Sequence, residues 1–328
     1  MMKKSLDCIK WGIIGVGDVC EVKSAPAMQK VAGSSIQIVM RRDEDKARDY
    51  ARRHEIAEWT TNAEEVLHHP EVNAVYIATP PAYHASYTIK AALAGKPVYV
   101  EKPMALNHLE CQQMIEACNT AEVPLFVAYY RRALPHFLKV KELLEKKVIG
   151  DIRFVKIELF QSLDPSIVAT GTDWRVNPDI AGGGYFHDLA SHQLDLLDFL
   201  FGSIKSAKGY ASNQAKKYDA DDIVAGVFEF GSGMMGSGVW CFTVAPNDSL
   251  DRVVIYGSKG NIEFSTFGDA DVKLVTEKSS ETCQFEMPKH IQQPLIEQVV
   301  DELRGTGTCI SPGVSAARAN QVMEWISK

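Results

Sequence analysis

No apolar run in this 328-residue sequence approaches the ~20 residues that a membrane-spanning helix requires. The stretch after Lys3 and Lys4 is broken by Asp7 and Lys10 and reaches Gly15 without a small-residue cleavage pattern, so a signal peptide is not expected. Cys-x-x-Cys spacing is also missing. The seven cysteines (Cys8, Cys20, Cys111, Cys118, Cys241, Cys283 and Cys309) are odd in number and scattered, which predicts reduced thiols in a cytoplasmic protein. Cys111 and Cys118 share a helix face with no second cysteine pair nearby, and buried packing is expected there, with no zinc. Nor is there a basic patch. The 35 Lys and Arg residues against 42 Asp and Glu leave a charge of -7, spread along the chain, which argues against nucleic-acid and membrane partners. Internal repeats and low-complexity tracts are missing as well.

What remains is a chain longer than one hydrophobic core usually serves, which stops growing at roughly 250 to 300 residues, so two domains are expected. The first part alternates short β-branched runs with amphipathic stretches, the pattern of βαβ units around a doubly wound parallel sheet. Strands are expected at Ile9 to Ile14, Ile36 to Met40, Ala74 to Ala78, Val98 to Val100 and Leu125 to Ala128. Helices are expected at Asp43 to His54, Tyr83 to Ala94 and Leu106 to Ala121, the last capped by Asn107.

Beyond Ala128 comes a helix at Pro135 to Lys146, then mostly strands: Arg153 to Phe160, Ile204 to Tyr210, Ile223 to Phe230, Met234 to Cys241, Arg252 to Tyr256, Asn261 to Phe264 and Val272 to Thr276. Such a succession predicts an α+β domain on a predominantly antiparallel open sheet. Helices at Ile291 to Leu303 and Val314 to Ile326 close the chain. The boundary is placed at residues 1–128 and 129–328. Helices are too few to cover both sheet faces, which points to a second subunit on one of them.

The first strand runs into Gly15-Val16-Gly17-Asp18-Val19-Cys20 and a helix. Glycines at this turn let the backbone approach a diphosphate, which then lies on the positive end of the helix. Cys20 stands where a third glycine is usual. The second strand ends in Arg41 and Arg42, where a carboxylate would bind a ribose hydroxyl and a guanidinium binds a 2′-phosphate, so NADP is favoured over NAD. Thr79 and Pro80, at the carboxyl end of a later strand, are expected to line the same groove. His84 fits either a helix start or a cofactor contact.

The strand Val98 to Val100 leads into Glu101-Lys102-Pro103, where a lysine at a strand end can donate to a substrate oxygen, and Pro103 fits a cis bond. A second cluster follows Gly182-Gly183-Gly184. From Tyr185 to Phe201 the pattern is an apolar helix carrying Asp188 and His192 four residues apart on one face, with Asp195 a turn further. An acid and an imidazole on an apolar helix need a partner or a ligand. His192 is suited to move a hydroxyl proton and Asp188 to orient it or bind another hydroxyl, and a structural pair is the alternative. No third ligand has convincing spacing for a metal.

Together, Gly15-Val16-Gly17, Glu101-Lys102-Pro103 and Gly182-Gly183-Gly184 with Asp188 and His192 resemble the Gfo/Idh/MocA oxidoreductase family over essentially the whole chain. Asp173-Trp174-Arg175 and Ala128-Tyr129-Tyr130-Arg131-Arg132 resemble segments of its sugar reductase and dihydrodiol dehydrogenase branches. The resemblance implies an N-terminal Rossmann domain and a C-terminal substrate-binding domain whose open sheet mediates homodimers or homotetramers. It implies that Lys102, Asp188 and His192 form the reactive cluster, that Glu101 and Lys102 touch the cofactor, and that Trp174 and Arg175 reach it from the second domain. The expected activity is hydride transfer between a nicotinamide dinucleotide and a sugar-like or polyol substrate. Redox-assisted glycoside cleavage with retained NAD and a non-catalytic dinucleotide sensor are the alternatives. Substrate contacts are expected around Phe160 to Ile180 and Asp219 to Asp222.

Overall fold

The computed structural model describes residues 7–163, 165 and 173–328. Two compact units result. The first gathers the chain up to Ala105, Leu109–Ala133 and Pro288–Ala316, and the second Leu106–His108, Leu134–Met287 and Ala317–Lys328. The single crossing after Ala128 expected from the sequence differs from this packing, because residues 288–316 return to the first unit.

The first unit is built on a six-stranded parallel sheet of β1 (Ile9–Ile14), β2 (Ser34–Met40), β3 (Glu58–Thr60), β4 (Ala74–Ile77), β5 (Val98–Val100) and β6 (Leu125–Val127), in the order β3-β2-β1-β4-β5-β6. Strands β4, β5 and β6 are buried at every position, as expected of a parallel sheet covered on both faces. The reversal of strand order beside β1 opens a crevice at the carboxyl ends of the strands, where ligands of such sheets bind. The returning segment pairs with the last strand: Val127 donates its N–H to Ser311, and the Ser311 hydroxyl donates back to the Val127 carbonyl at 2.8 Å.

The helix expected after the glycine turn is present and short. It covers Asp18–Val22 only, and a separate helix, Ala25–Lys30, follows with Pro26 at its second position. Proline lacks the N–H that would bond four residues back, and its ring crowds the carbonyl there, so one helix cannot run through. The helix expected from Asp43 is observed as Glu44–Arg53, with Asp43 as its cap accepting the Lys46 N–H at 3.0 Å.

The second unit carries an eight-stranded sheet of β7 (Ile152–Phe160), β8 (Ile204–Ser212), β9 (Ile223–Phe230), β10 (Met235–Cys241), β11 (Leu250–Gly257), β12 (Gly260–Phe264), β13 (Asp271–Thr276) and β14 (Ser280–Gln284). Their order is β14-β13-β12-β11-β7-β10-β9-β8, and only the β7–β10 pair is parallel. Alternation along these strands buries one face, with Val155, Ile157, Leu159, Phe228, Trp240, Val253 and Ile262 in its core. The other face leaves Tyr210 88% exposed, together with exposed Phe154, Val227 and Met235. No helix among the described residues is long and apolar enough to cross a membrane.

Candidate active site

At the first glycine turn, Gly15 has φ +96°, a conformation that side chains rarely adopt, and a Cβ there would come within 2.8 Å of Thr79 Cγ2. Gly17 faces open space: a Cβ there would meet nothing within 4 Å. Cys20 is fully buried, its thiol donating to the Gly15 carbonyl at 3.7 Å, and burial pushes the thiol up to about 12. The residue that departs from the glycine pattern is therefore an inert packing group that braces the turn.

Arg41 donates from Nη1 to the Val16 carbonyl at 2.9 Å, and the Arg42 guanidinium lies 5.3 Å from the centre of the Tyr83 ring. The structure thus holds Arg41 at the glycine turn and Arg42 at the 3₁₀ turn Pro81–Tyr83 that follows β4. Thr79 Oγ1 is buried with no partner among the described residues. An open glycine face, an orphaned threonine hydroxyl and paired guanidinium groups fit the diphosphate and phosphate groups of a dinucleotide.

His84 has no exposed surface. Its Nε2 lies 2.7 Å from the Thr79 carbonyl and its Nδ1 3.0 Å from the Pro103 carbonyl, so the ring ties together the ends of β4 and β5. Burial lowers its pKa, against the opposing pull of these carbonyls and Glu101. With no exposed surface, the ring serves here as a brace between these two strand ends.

The Lys102–Pro103 bond is cis, and Lys102 stands half-buried at the end of β5. Its backbone N–H donates to Glu101 Oε2 at 3.2 Å. Glu101 is itself buried, and its Oε1 accepts the Tyr76 hydroxyl at 2.7 Å and the Gln292 side-chain amide at 2.6 Å. The Gln292 oxygen accepts the Tyr99 hydroxyl at 3.2 Å, which fixes the amide's orientation. Sequence reading missed Gln292; its only local signal is a polar residue just before a helix with Pro294 in its first turn.

In the second unit the apolar pattern from Tyr185 is helical, but its first turn, Phe186–Ala190, is a π-turn that precedes the α-helix Ser191–Phe201. Asp188 sits within that wider turn, so the continuous α-helix expected from Tyr185 is corrected; π-turns recur at functional sites. Arg175 Nε lies 3.7 Å from Asp188 Oδ2, and its Nη1 3.3 Å from Asp173 Oδ1. The guanidinium also stacks 4.6 Å from the Trp174 ring. Tyr185 donates its hydroxyl to Asp173 Oδ2 at 3.0 Å, and burial followed by Asp173 raises its pKa.

His192 is 3% exposed, its ring set edge-on to Phe267 at 6.0 Å. The neighbouring His187 is packed so closely that a Cβ on Gly183 would stand 1.9 Å from its Nδ1, and burial pushes its pKa down to about 4. Asp195 is buried, and Asp198 forms a two-point pair with Arg318 at 2.6 Å. Of the expected reactive groups, Lys102 belongs to the first unit and Asp188 and His192 to the second. Of the expected substrate-contact segment, residues 164 and 166–172 lie outside the described residues. A cavity of about 600 Å³ in the second unit is lined by Lys208, Tyr210, Val227, Val239 and Trp325, and no expected site residue borders it.

Two family models match the chain: an oxidoreductase family with an NAD-binding Rossmann fold over residues 9–129, and the GFO/IDH/MocA C-terminal domain over residues 137–263. Oxidoreductase P35 of Formosa agariphila is 43% identical over 295 residues, covering 89% of this chain and 90% of that protein. Trans-1,2-dihydrobenzene-1,2-diol dehydrogenase of Mus musculus is 29% identical over 255 residues, 77% of this chain and 73% of that one. Among solved structures, levoglucosan dehydrogenase in complex with NADH and levoglucosan superposes with a TM-score of 0.86 at 21% identity, covering 97% of this chain and 96% of that one. The chain belongs to the Gfo/Idh/MocA oxidoreductase family, and it is a dehydrogenase or reductase with an NAD-binding Rossmann domain.

Proposed function

We propose that the protein transfers a hydride reversibly between NADP and the hydroxyl or carbonyl carbon of a small sugar-like or polyol substrate. The observation that carries this reading is the glycine turn open at Gly17 with Arg41 anchored to it: an unobstructed backbone turn bordered by a fixed cation. Gly15, Val16, Gly17, Asp18 and Val19 hold the diphosphate, Arg41 and Arg42 the 2′-phosphate, and Thr79 and Pro80 the groove wall. His84 sets that wall, Glu101 and Lys102 hold the nicotinamide ribose, and Trp174 and Arg175 approach from the substrate domain.

The nicotinamide, when bound, supplies the hydride chemistry. His192 takes the hydroxyl proton during oxidation and returns it during reduction, Asp188 orients that imidazole or holds a second hydroxyl, and Lys102 donates to the reacting oxygen. The relatives named for dihydrodiols and levoglucosan support a neutral hydroxylated substrate. The first unit, with residues 288–316, serves the dinucleotide, and the second the substrate and self-association. A second copy seated on the outer sheet face, at Phe154, Tyr210, Val227 and Met235, makes the dimer from which a tetramer can build. Free cysteines suit the cytoplasm.

Native mass spectrometry of the purified protein, followed by NADPH oxidation against a sugar and diketone panel, tests this. Retained or added NADP, an even subunit count and turnover of a hydroxylated carbonyl compound are expected. NADPH binding without turnover anywhere in the panel contradicts the enzyme reading. Release of a glycosidic leaving group without net redox contradicts the reaction.

A further inference from the structure

We propose that Gln292 is a positioning residue for the dinucleotide: by holding Glu101 Oε1 it aims Oε2 as a fixed acceptor for a ribose hydroxyl. This rests on the reading that the Glu101–Lys102 turn carries the nicotinamide ribose. Gln292 sits immediately before the helix Gln293–Arg304, 191 residues from Glu101 in the chain, and has no exposed surface. The rings of Tyr76 and Tyr99 stack at 5.1 Å beneath the turn, and each hydroxyl donates into the same chain of bonds: Tyr76 to Glu101, Tyr99 to Gln292, and Gln292 to Glu101.

Two donors occupy Oε1, the acceptor capacity of one carboxylate oxygen. Oε2 receives the Lys102 N–H and keeps one lone pair. A carboxylate with one oxygen doubly anchored cannot rotate without breaking both bonds, so that remaining lone pair has a set direction. The amide matters because it donates to Glu101 and accepts from Tyr99 at once; neither a carboxylate nor an apolar side chain does both.

The Gln292→Glu variant converts this into a pH signature. Two carboxyl groups at that separation share one proton in acid, restoring the donor, and repel when both ionise. The titratable neighbours of the pair are Tyr76, Tyr99, Cys20, His84 and Lys102, with Tyr130 and Cys309 beyond Tyr99. Burial pushes both core tyrosines well up and the Cys20 and Cys309 thiols up to about 12, and His84 is common to variant and wild type.

The experiment measures NADPH and NADH dissociation constants by fluorescence at about pH 5.5 and about pH 8.5, on protein shown folded at both values by circular dichroism. Relative to wild type, Gln292→Glu is expected to bind within about threefold in acid and about tenfold or more weakly in base. Gln292→Met is expected to be weaker by about tenfold at both. A Gln292→Glu profile parallel to wild type overturns the inference while leaving the dinucleotide reading standing. Failure of wild type to bind either dinucleotide removes both. Where Gln292→Glu does not fold, Gln292→Met carries the test, and affinity in that variant equal to wild type at both pH values overturns the inference equally.

Discussion

Arg41 donates its guanidinium Nη1–H to the Val16 carbonyl at 2.9 Å, tying the end of β2 to the middle of the glycine turn. One of five N–H donors is spent on that bond, and the planar fork holds the rest in fixed directions beside the turn. Arg41→Asp is expected to lower the preference for NADPH over NADH by about ten- to a hundredfold, the worth of a hydrogen bond to a charged group. The ratio of the two dissociation constants is the measurement. An unchanged ratio removes Arg41 from 2′-phosphate recognition.

His192 is buried against Phe267, where its imidazole is shielded from bulk water. In His192→Ala, turnover should fall by about 10²- to 10⁴-fold, the usual contribution of a positioned proton-transfer group, with dinucleotide affinity close to wild type. Steady-state kinetics beside a fluorescence titration separate the two effects. A loss confined to dinucleotide affinity would reassign the residue to binding.

Gly183 has no room for a side chain, because a Cβ would stand 1.9 Å from His187 Nδ1. Gly183→Ala must therefore displace a buried ring at a cost of about 1–3 kcal/mol, which lowers the melting temperature by a few degrees. A melting temperature equal to wild type would mean that the ring swings aside freely.

His187 also gives the protein a defined acid limb. Burial holds its folded pKa down at about 4, below the 6.5 of an unfolded histidine. The unfolded chain therefore binds the proton first. The stability associated with the neutral ring is whole above pH 6.5 and is lost as pH falls towards 4, by up to about 3 kcal/mol. Urea unfolding of wild type and His187→Leu across this range should show a stability difference that shifts in favour of the variant in acid. A difference independent of pH would show that His187 is protonated alike in both states.

Much of the fold could be read because its signals are local. β1 and β5 fall on the residues that β-branched runs mark, and Asp43 caps its helix as a short acid before an amphipathic stretch should. β3 escaped because three residues, Glu58–Thr60, are too few to show a period, and β14 because Ser280–Gln284 is a polar edge strand with no apolar alternation. The π-turn at Phe186–Ala190 keeps the apolar spacing of an α-helix while changing its hydrogen bonding, which composition does not register. Within the site, the glycine turn, Arg41 and the Glu101–Lys102 turn were legible from their places at strand ends. Pro26 was in plain view, yet its break in the helix after the turn was not read. Gln292 had no such marker, since its meaning lies in partners on β5 and just beyond it, at Tyr99 and Glu101, that no window of sequence contains.

The return of residues 288–316 to the parallel-sheet unit has a consequence for anyone cutting the gene. An expression product ending at residue 128 would leave the last strand without its Ser311 pairing and Glu101 without its amide donor. A freestanding dinucleotide module would have to be spliced from two distant exon-like stretches, which makes this half of the molecule a poor unit for simple shuffling and the carboxyl terminus a poor place to truncate.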